Sequence, residues 1–269
     1  MRALLASASL ALAGCTFGGG GILPFEPPPA ARVSERDLEV PFVATPRPVV
    51  AAMLDMAEVG PEDYVIDLGS GDGRISIAAA QRGARALGVD IDPNRVSEAV
   101  LAAQVSQVEG RARFRRQDLF ATPIGEASVV SMYLMPEINM RLRPRLLTEL
   151  RPGARVVSHA FAMGDWRPDE HRDVNGANVY LWIVPAPVGG EWTFSEGGER
   201  MALSLDQRFQ DVTGTLGGRP LRDVTLRGAR ISFTLDGPNG PRTLRGIVDG
   251  AIIEPERGAP GGWRAQRNA

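Results

Sequence analysis

Lysine is missing from this sequence: all 30 basic residues are arginine, against 32 acidic ones. That excludes a catalytic lysine and any modification of the chain's own lysine side chains. A formal charge of −2 gives no global field for nucleic acid or acidic lipid. The single cysteine, Cys15, excludes an internal disulfide and a multi-cysteine zinc site. Two separated histidines, His159 and His171, do not have metal-ligand spacing, so no metal is expected. Aromatic residues are scarce. With Ala112 and Phe114 read as core-facing, no aromatic platform interleaves the arginines at 111, 113, 115 and 116. That cluster reads as a solvated strand edge, and no nucleic-acid partner is expected. The apolar run Ala3 to Ala13 is too short to span a bilayer.

What is present centres on Tyr64 to Arg74, YVIDLGSGDGR. A short apolar run gives way to glycines at 69, 71 and 73, and then to apolar residues at helical spacing. Strand, glycine turn and helix open a nucleotide-binding βαβ unit. The pattern is D-x-G-x-G-x-G, not the dinucleotide spacing G-x-G-x-x-G. Asp67 stands just before the turn and Asp72 within it. Two carboxylates there suit a cation better than a pyrophosphate. Strand two, Arg85 to Asp90, ends in an acid at the usual position for gripping ribose hydroxyls.

Together, DLGSGDGR and GVDIDP resemble the class I S-adenosylmethionine-dependent methyltransferases, over about Val40 to Pro185. The resemblance implies S-adenosylmethionine as cofactor, held by Asp67, Gly69, Ser70, Gly71, Asp72, Gly73, Asp90, Ile91, Asp118 and Leu119. Within that set, Asp67 and the amides around Gly69 and Gly71 take the amino-acid end, Asp90 the ribose and Asp118 the adenine. The segment VPFVATP narrows the resemblance to small bacterial and mitochondrial protein-lysine methyltransferases that act on inner-membrane carrier and ATP-synthase proteins. In that branch the segment lies near the cofactor mouth. From the residues alone, Thr45 is read as a helix cap, Pro46 as a first-turn residue, and the helix that follows as a lid or packing element.

Met1 to Cys15 reads as a signal peptide ending in a lipobox, Leu12-Ala13-Gly14-Cys15, with Cys15 lipidated by resemblance. Residues 16–39 read as a Gly/Pro-rich tether. The expected place is the periplasmic side of a membrane, or the cytoplasm if translation begins later, for instance at Val33. Export conflicts with a cytoplasmic cofactor, which keeps open a catalytically silent exported binding module. An NAD-dependent oxidoreductase is the enzyme alternative.

Further along, a helix is expected over Pro93 to Val108, with Val96, Ala99, Val100 and Ala103 inward. Strand four is placed at Ala127 to Leu134, and a helix follows from Pro136 to Leu150, kinked or split at Pro144. Tyr133, Glu137 and His159 are weak catalytic candidates at the carboxyl ends of strands, where open α/β sheets bind ligands. His171 falls in a charged loop. Residues 40–187 form the expected methyltransferase domain. Beyond the punctuation at Pro185 to Gly190 the period changes to alternation, so residues 188–269 read as a small antiparallel β module with a weak repeat at Leu226–Ile231 and Leu244–Asp249. The fold expected is α/β: a Rossmann-like class I methyltransferase sheet with helices on both faces, plus that module. The reaction implied is methyl transfer to an amine, most readily a protein lysine, with small-molecule acceptors open.

Overall fold

A computed structural model of the chain describes residues 43–237 and 240–268. Cys15, the lipobox and the tether lie outside the described residues.

The first sheet has seven strands in the order β3-β2-β1-β4-β5-β7-β6. Strands β1 (Tyr64–Leu68), β2 (Arg85–Asp90), β3 (Ala112–Arg116), β4 (Val129–Met132) and β5 (Arg155–His159) are parallel. β7 (Ala177–Ile183) runs antiparallel to both β5 and β6 (Glu170–Val174). β1 and β4 are buried on both faces, which explains the continuous apolar runs. Strand order reverses at β1, so β1 and β4 splay a crevice at their carboxyl ends.

Helices α1 (Arg47–Met56), α2 (Arg74–Gln81) and α3 (Pro93–Val105) cover one face. The core there gathers Val49, Met53, Leu54, Val65, Ile75 and Val157. On the other face α4 (Pro136–Glu149) inserts Leu142 and Leu146 among Ile66, Val130 and Trp182.

Several expectations shift here. α3 stops at Val105 and buries only Ala99 and Ala103, while Val100 is turned outward. α4 passes through Pro144 as one helix. His171 belongs to edge strand β6, whose sequence EHRDV has charges facing solvent because β7 alone pairs with it.

The C-terminal part is the antiparallel β module expected beyond residue 187. Nine strands form an antiparallel sheet: β8 (Gly190–Glu196), β9 (Glu199–Arg208), β10 (Asp211–Leu216), β11 (Arg219–Pro220), β12 (Arg222–Arg227), β13 (Arg230–Gly237), β14 (Gly240–Asp249), β15 (Ile252–Pro255) and β16 (Trp263–Arg267). The two ends of this sheet, β11 and β12, are joined at Leu221, whose N–H donates to the Gly214 carbonyl on β10. The sheet therefore curls into a barrel around Trp192, Phe194, Phe233, Leu244 and Trp263. Ala186 and Val188 are buried in that same core. The weak sequence repeat is not a structural one. Gly228 turns the β12–β13 hairpin at φ +60°, whereas Gly246 lies within β14, where a Cβ would stand 2.7 Å from the Trp263 ring.

Candidate active site

The glycine turn follows β1 directly. Gly69, Gly71 and Gly73 all have positive φ, at 75°, 53° and 80°. That backbone is open to glycine and strained for other residues. At Gly73 a Cβ would also meet the Phe114 ring at 2.6 Å and Ala99 at 2.8 Å. The N–H groups of Gly69 and Ser70 donate to the Val89 carbonyl, and that of Gly71 donates to Asp90 Oδ2 at 2.8 Å. This corrects the assignment of the Gly69 and Gly71 amides to the cofactor, since they brace the turn. The turn's carbonyl oxygens have the right polarity for an ammonium group.

Asp67 does not stand at the mouth. It lies under the turn at 1% exposure, accepting from Ser131 at 2.8 Å and Ser76 at 3.2 Å. Burial raises its pKa to about 7, against the partial offset of the two hydroxyls. Asp72 is paired with Arg74 at 2.5 Å. Burial alone would raise the Asp72 carboxyl, but the hydrogen bonds and charge of Arg74 outweigh it and hold the group below its usual range. Hence the expected pair of bare carboxylates flanking the turn is not found: one is half-protonated near neutrality and the other is neutralised by an ion pair.

Asp90 closes β2 half-buried. Its Oδ1 accepts from the Asp92 N–H at 2.9 Å, so the carboxylate is fixed with one lone pair free on each oxygen. Ile91 follows and is half-buried. Asp118 caps the short 3-10 helix Leu119–Ala121 through Oδ1 to Phe120 N–H at 2.8 Å. Its second oxygen has no partner among the described residues. Arg145 of α4 clamps this loop by donating to the Phe120 and Thr122 carbonyls, and Leu119 packs against the core.

These groups fit the cofactor that the motif implies. The turn is packed so closely that a Cβ at Gly69 or Gly73 would strike Leu134, Phe114 or Ala99, which keeps its backbone bare of side chains. Ser70 Oγ within it is buried and has no hydrogen-bond partner among the described residues. Asp90 and Asp118 present spare acceptors from two adjacent strand ends.

The neighbouring strand ends carry a second group of side chains. Tyr133 follows β4 and lies against the His159 ring, with centroids 3.9 Å apart. Phe161 stacks on Tyr133 at 6.4 Å. His159 Nδ1 meets Thr45 Oγ1 at 3.2 Å. Thr45 is therefore not the helix cap expected of it; Pro46 occupies that position without a side-chain cap. The Thr45 carbonyl accepts from Arg74 at 2.8 Å, so the strap before α1 ties the glycine turn to the aromatic cluster. Burial lowers the His159 pKa, which leaves a neutral imidazole at pH 7. Leu134 bridges the two halves: a Cβ on Gly69 would stand 2.7 Å from its Cδ2. Glu137 is exposed on the first turn of α4 and makes no contact with this cluster among the described residues.

Sequence reasoning missed Thr45 as a ligand of His159, Arg74, Ser76, Ser131 and Phe161. Only Arg74, beside Asp72 in the turn, left a signal; Ser76 meets Asp67 across the turn, nine positions away, and the others meet their partners across long stretches of chain.

Comparison with known proteins agrees with this geometry. A family profile described as the ANTKMT methyltransferase domain matches residues 67–170. A protein-lysine N-methyltransferase of Saccharolobus islandicus is 43% identical over 151 residues, covering 54% of this chain and 94% of that protein. An adenine nucleotide translocase lysine N-methyltransferase of Mus musculus is 36% identical over 132 residues, covering 49% of this chain and 57% of that protein. Among solved structures, an RNA methyltransferase from Salinibacter ruber in complex with S-adenosyl-L-homocysteine is 48% identical. It has a TM-score of 0.53 and covers 54% of this chain and 96% of its own. The cofactor is therefore S-adenosylmethionine and the nicotinamide alternative is set aside. With a barrel appended, this chain belongs to the class I S-adenosylmethionine-dependent methyltransferases, in the protein-lysine N-methyltransferase family.

Proposed function

We propose that this chain methylates a lysine ε-amine of a protein acceptor at the crevice between the glycine turn and the Tyr133–His159–Phe161 cluster. The observation that carries the reading is the adjacency of these two groups, bridged by Leu134 and by the Arg74–Thr45–His159 strap.

Bound S-adenosylmethionine supplies an electrophilic methyl group on a sulfonium. Asp90 would hold the ribose hydroxyls, and the free oxygen of Asp118 would hold the adenine amino group. The turn carbonyls would hold the cofactor's ammonium, with the Asp67 carboxyl buried beneath the turn. On the acceptor side, Tyr133 and Phe161 offer aromatic faces to a lysine ammonium. The amine must lose its proton before it attacks. His159 is neutral, and with its Nδ1–H donated to Thr45 Oγ1 the Nε2 would be the nitrogen to take that proton or pass it to water. The rest is positioning and exclusion of water. With no lysine of its own, the enzyme cannot use its own lysines as acceptors.

The test is transfer of a tritiated methyl group from S-adenosylmethionine to purified adenine nucleotide translocase in detergent, with total RNA in a parallel arm. Label recovered as methyl-lysine supports the reading. Label in RNA alone, or S-adenosylhomocysteine binding without transfer to either, contradicts it.

We also propose that Cys15 anchors the chain to a membrane. The support is the LAGC sequence after an apolar leader. A palmitate analogue should label the wild type and leave Cys15→Ser unlabelled; an unlabelled wild type in the cytosol would point to the later start.

A further inference from the structure

The barrel touches the methyltransferase half at one telling place. The β9–β10 turn, Phe209–Gln210, reaches the loop after β5, residues 160–169. Phe209 stacks on Trp166 with ring centroids 6.1 Å apart and sits under the Arg143 guanidinium at 5.3 Å. Gln210 donates to the Arg167 carbonyl at 2.6 Å. Asp165 pairs with Arg143 of α4 and with Arg208 of the barrel, and Arg167 pairs with Asp211. Arg143 also donates to the Met163 carbonyl at 3.0 Å. The loop is thus held between α4 and the barrel turn.

Phe209 adopts φ +56° to do this. A left-handed aromatic residue is an outlier whose backbone strain glycine would relieve. Barrel closure does not need a bulky ring at that point, since the ring packs against the other half's core. The loop so held begins with Phe161, whose carbonyl accepts from Ser158 at 2.8 Å and Asn139 at 3.2 Å, and whose ring faces Tyr133.

We propose that the barrel is a positioning element for the acceptor side. Through Phe209 it fixes the loop that carries Phe161, and so sets the wall against which the acceptor docks. This rests on reading Tyr133, His159 and Phe161 as the acceptor side. The residues matched in the Saccharolobus relative nearly fill that protein, so a large part of this chain has no counterpart there. The barrel then adds acceptor selection to a core that binds cofactor without it.

The test is Phe209→Gly in the full chain, which removes the ring while relaxing the backbone, with Phe209→Tyr as the conservative variant. The expected result has four parts. Amide exchange in residues 160–168 rises several-fold. KM for the translocase rises about three- to tenfold, the range for losing one aromatic pair. kcat and the S-adenosylhomocysteine Kd hold, and the melting midpoint holds or rises. Phe209→Tyr should restore both loop exchange and KM. Unchanged loop exchange in Phe209→Gly overturns the proposal whatever the kinetics. Raised exchange with unchanged KM overturns the link to acceptor docking. Tyr133→Ala separates that outcome from failure of the parent reading, which would leave KM unmoved in Tyr133→Ala as well.

Discussion

The two halves of the crevice are built differently. The cofactor half is local: β1, the turn, Asp90 and Asp118 each stand within a few residues of a strand end, and backbone hydrogen bonds fix them. The acceptor half is assembled from afar: Thr45 and His159 are 114 positions apart, and Tyr133 and Phe161 come from different strands. A half made of backbone geometry tolerates few changes, whereas a half made of side-chain contacts can be retuned for a new acceptor while cofactor binding is kept. The barrel buttress belongs to the second kind.

The largest break is expected on the cofactor side. Gly73→Ala puts a side chain at φ +80° and drives its Cβ into Phe114 and Ala99. Strain and overpacking together should cost about 2–4 kcal/mol of stability and abolish measurable S-adenosylhomocysteine binding. Denaturant melts and calorimetry read both. Wild-type behaviour would mean that the turn relaxes freely.

Asp90→Ala comes next. It removes the acceptor of the Gly71 and Asp92 amides together with the proposed ribose contact. Affinity for S-adenosylhomocysteine should fall about 30- to 100-fold, as expected for buried charge-assisted hydrogen bonds. An unchanged Kd would remove Asp90 from the site.

Much of the first half was legible in the sequence because its physics is local. Glycines at 69, 71 and 73 are required by backbone conformation, and an acid closes β2, the strand beside the topological switch point at β1. The identity of what those groups hold was less legible. The Gly69 and Gly71 amides were expected to face the cofactor, and the fold turns them inward because the Val89 carbonyl and Asp90 lie beside them. Asp67 was expected at the mouth, but in-register pairing with Ser131 buries it. Neither partner is near in sequence. The acceptor half was glimpsed only as Tyr133 and His159. Thr45 looked like a helix cap, since nothing local reveals a bond to β5. The β6 strand was lost because an edge strand carrying EHRDV has no apolar face to show.

A smaller effect sharpens the role of Asp67. Its raised pKa means the unliganded protein keeps a proton there up to about pH 7. A ligand ammonium above it favours the carboxylate, so binding releases that proton. S-adenosylhomocysteine affinity should therefore rise about tenfold from pH 6 to pH 8. Asp67→Asn should flatten the profile. For folding the sign is opposite: stability from Asp67 is full below the ordinary carboxylate range and is lost as pH rises through about 7. The melting midpoint of Asp67→Asn should gain on the wild type over that window. A flat wild-type binding profile would show that the ammonium does not sense Asp67.

The most direct test of the division between the halves is paired measurement on Asp90→Ala and His159→Asn. For each, the S-adenosylhomocysteine Kd is measured together with the methyl-transfer rate to adenine nucleotide translocase at saturating S-adenosylmethionine. Asp90→Ala is predicted to weaken Kd and recover most of its rate at saturation. His159→Asn is predicted to keep Kd and lose about 10²- to 10⁴-fold in rate, the scale of a lost proton acceptor. A His159→Asn protein with wild-type rate, or one whose Kd falls as far as that of Asp90→Ala, would contradict the account.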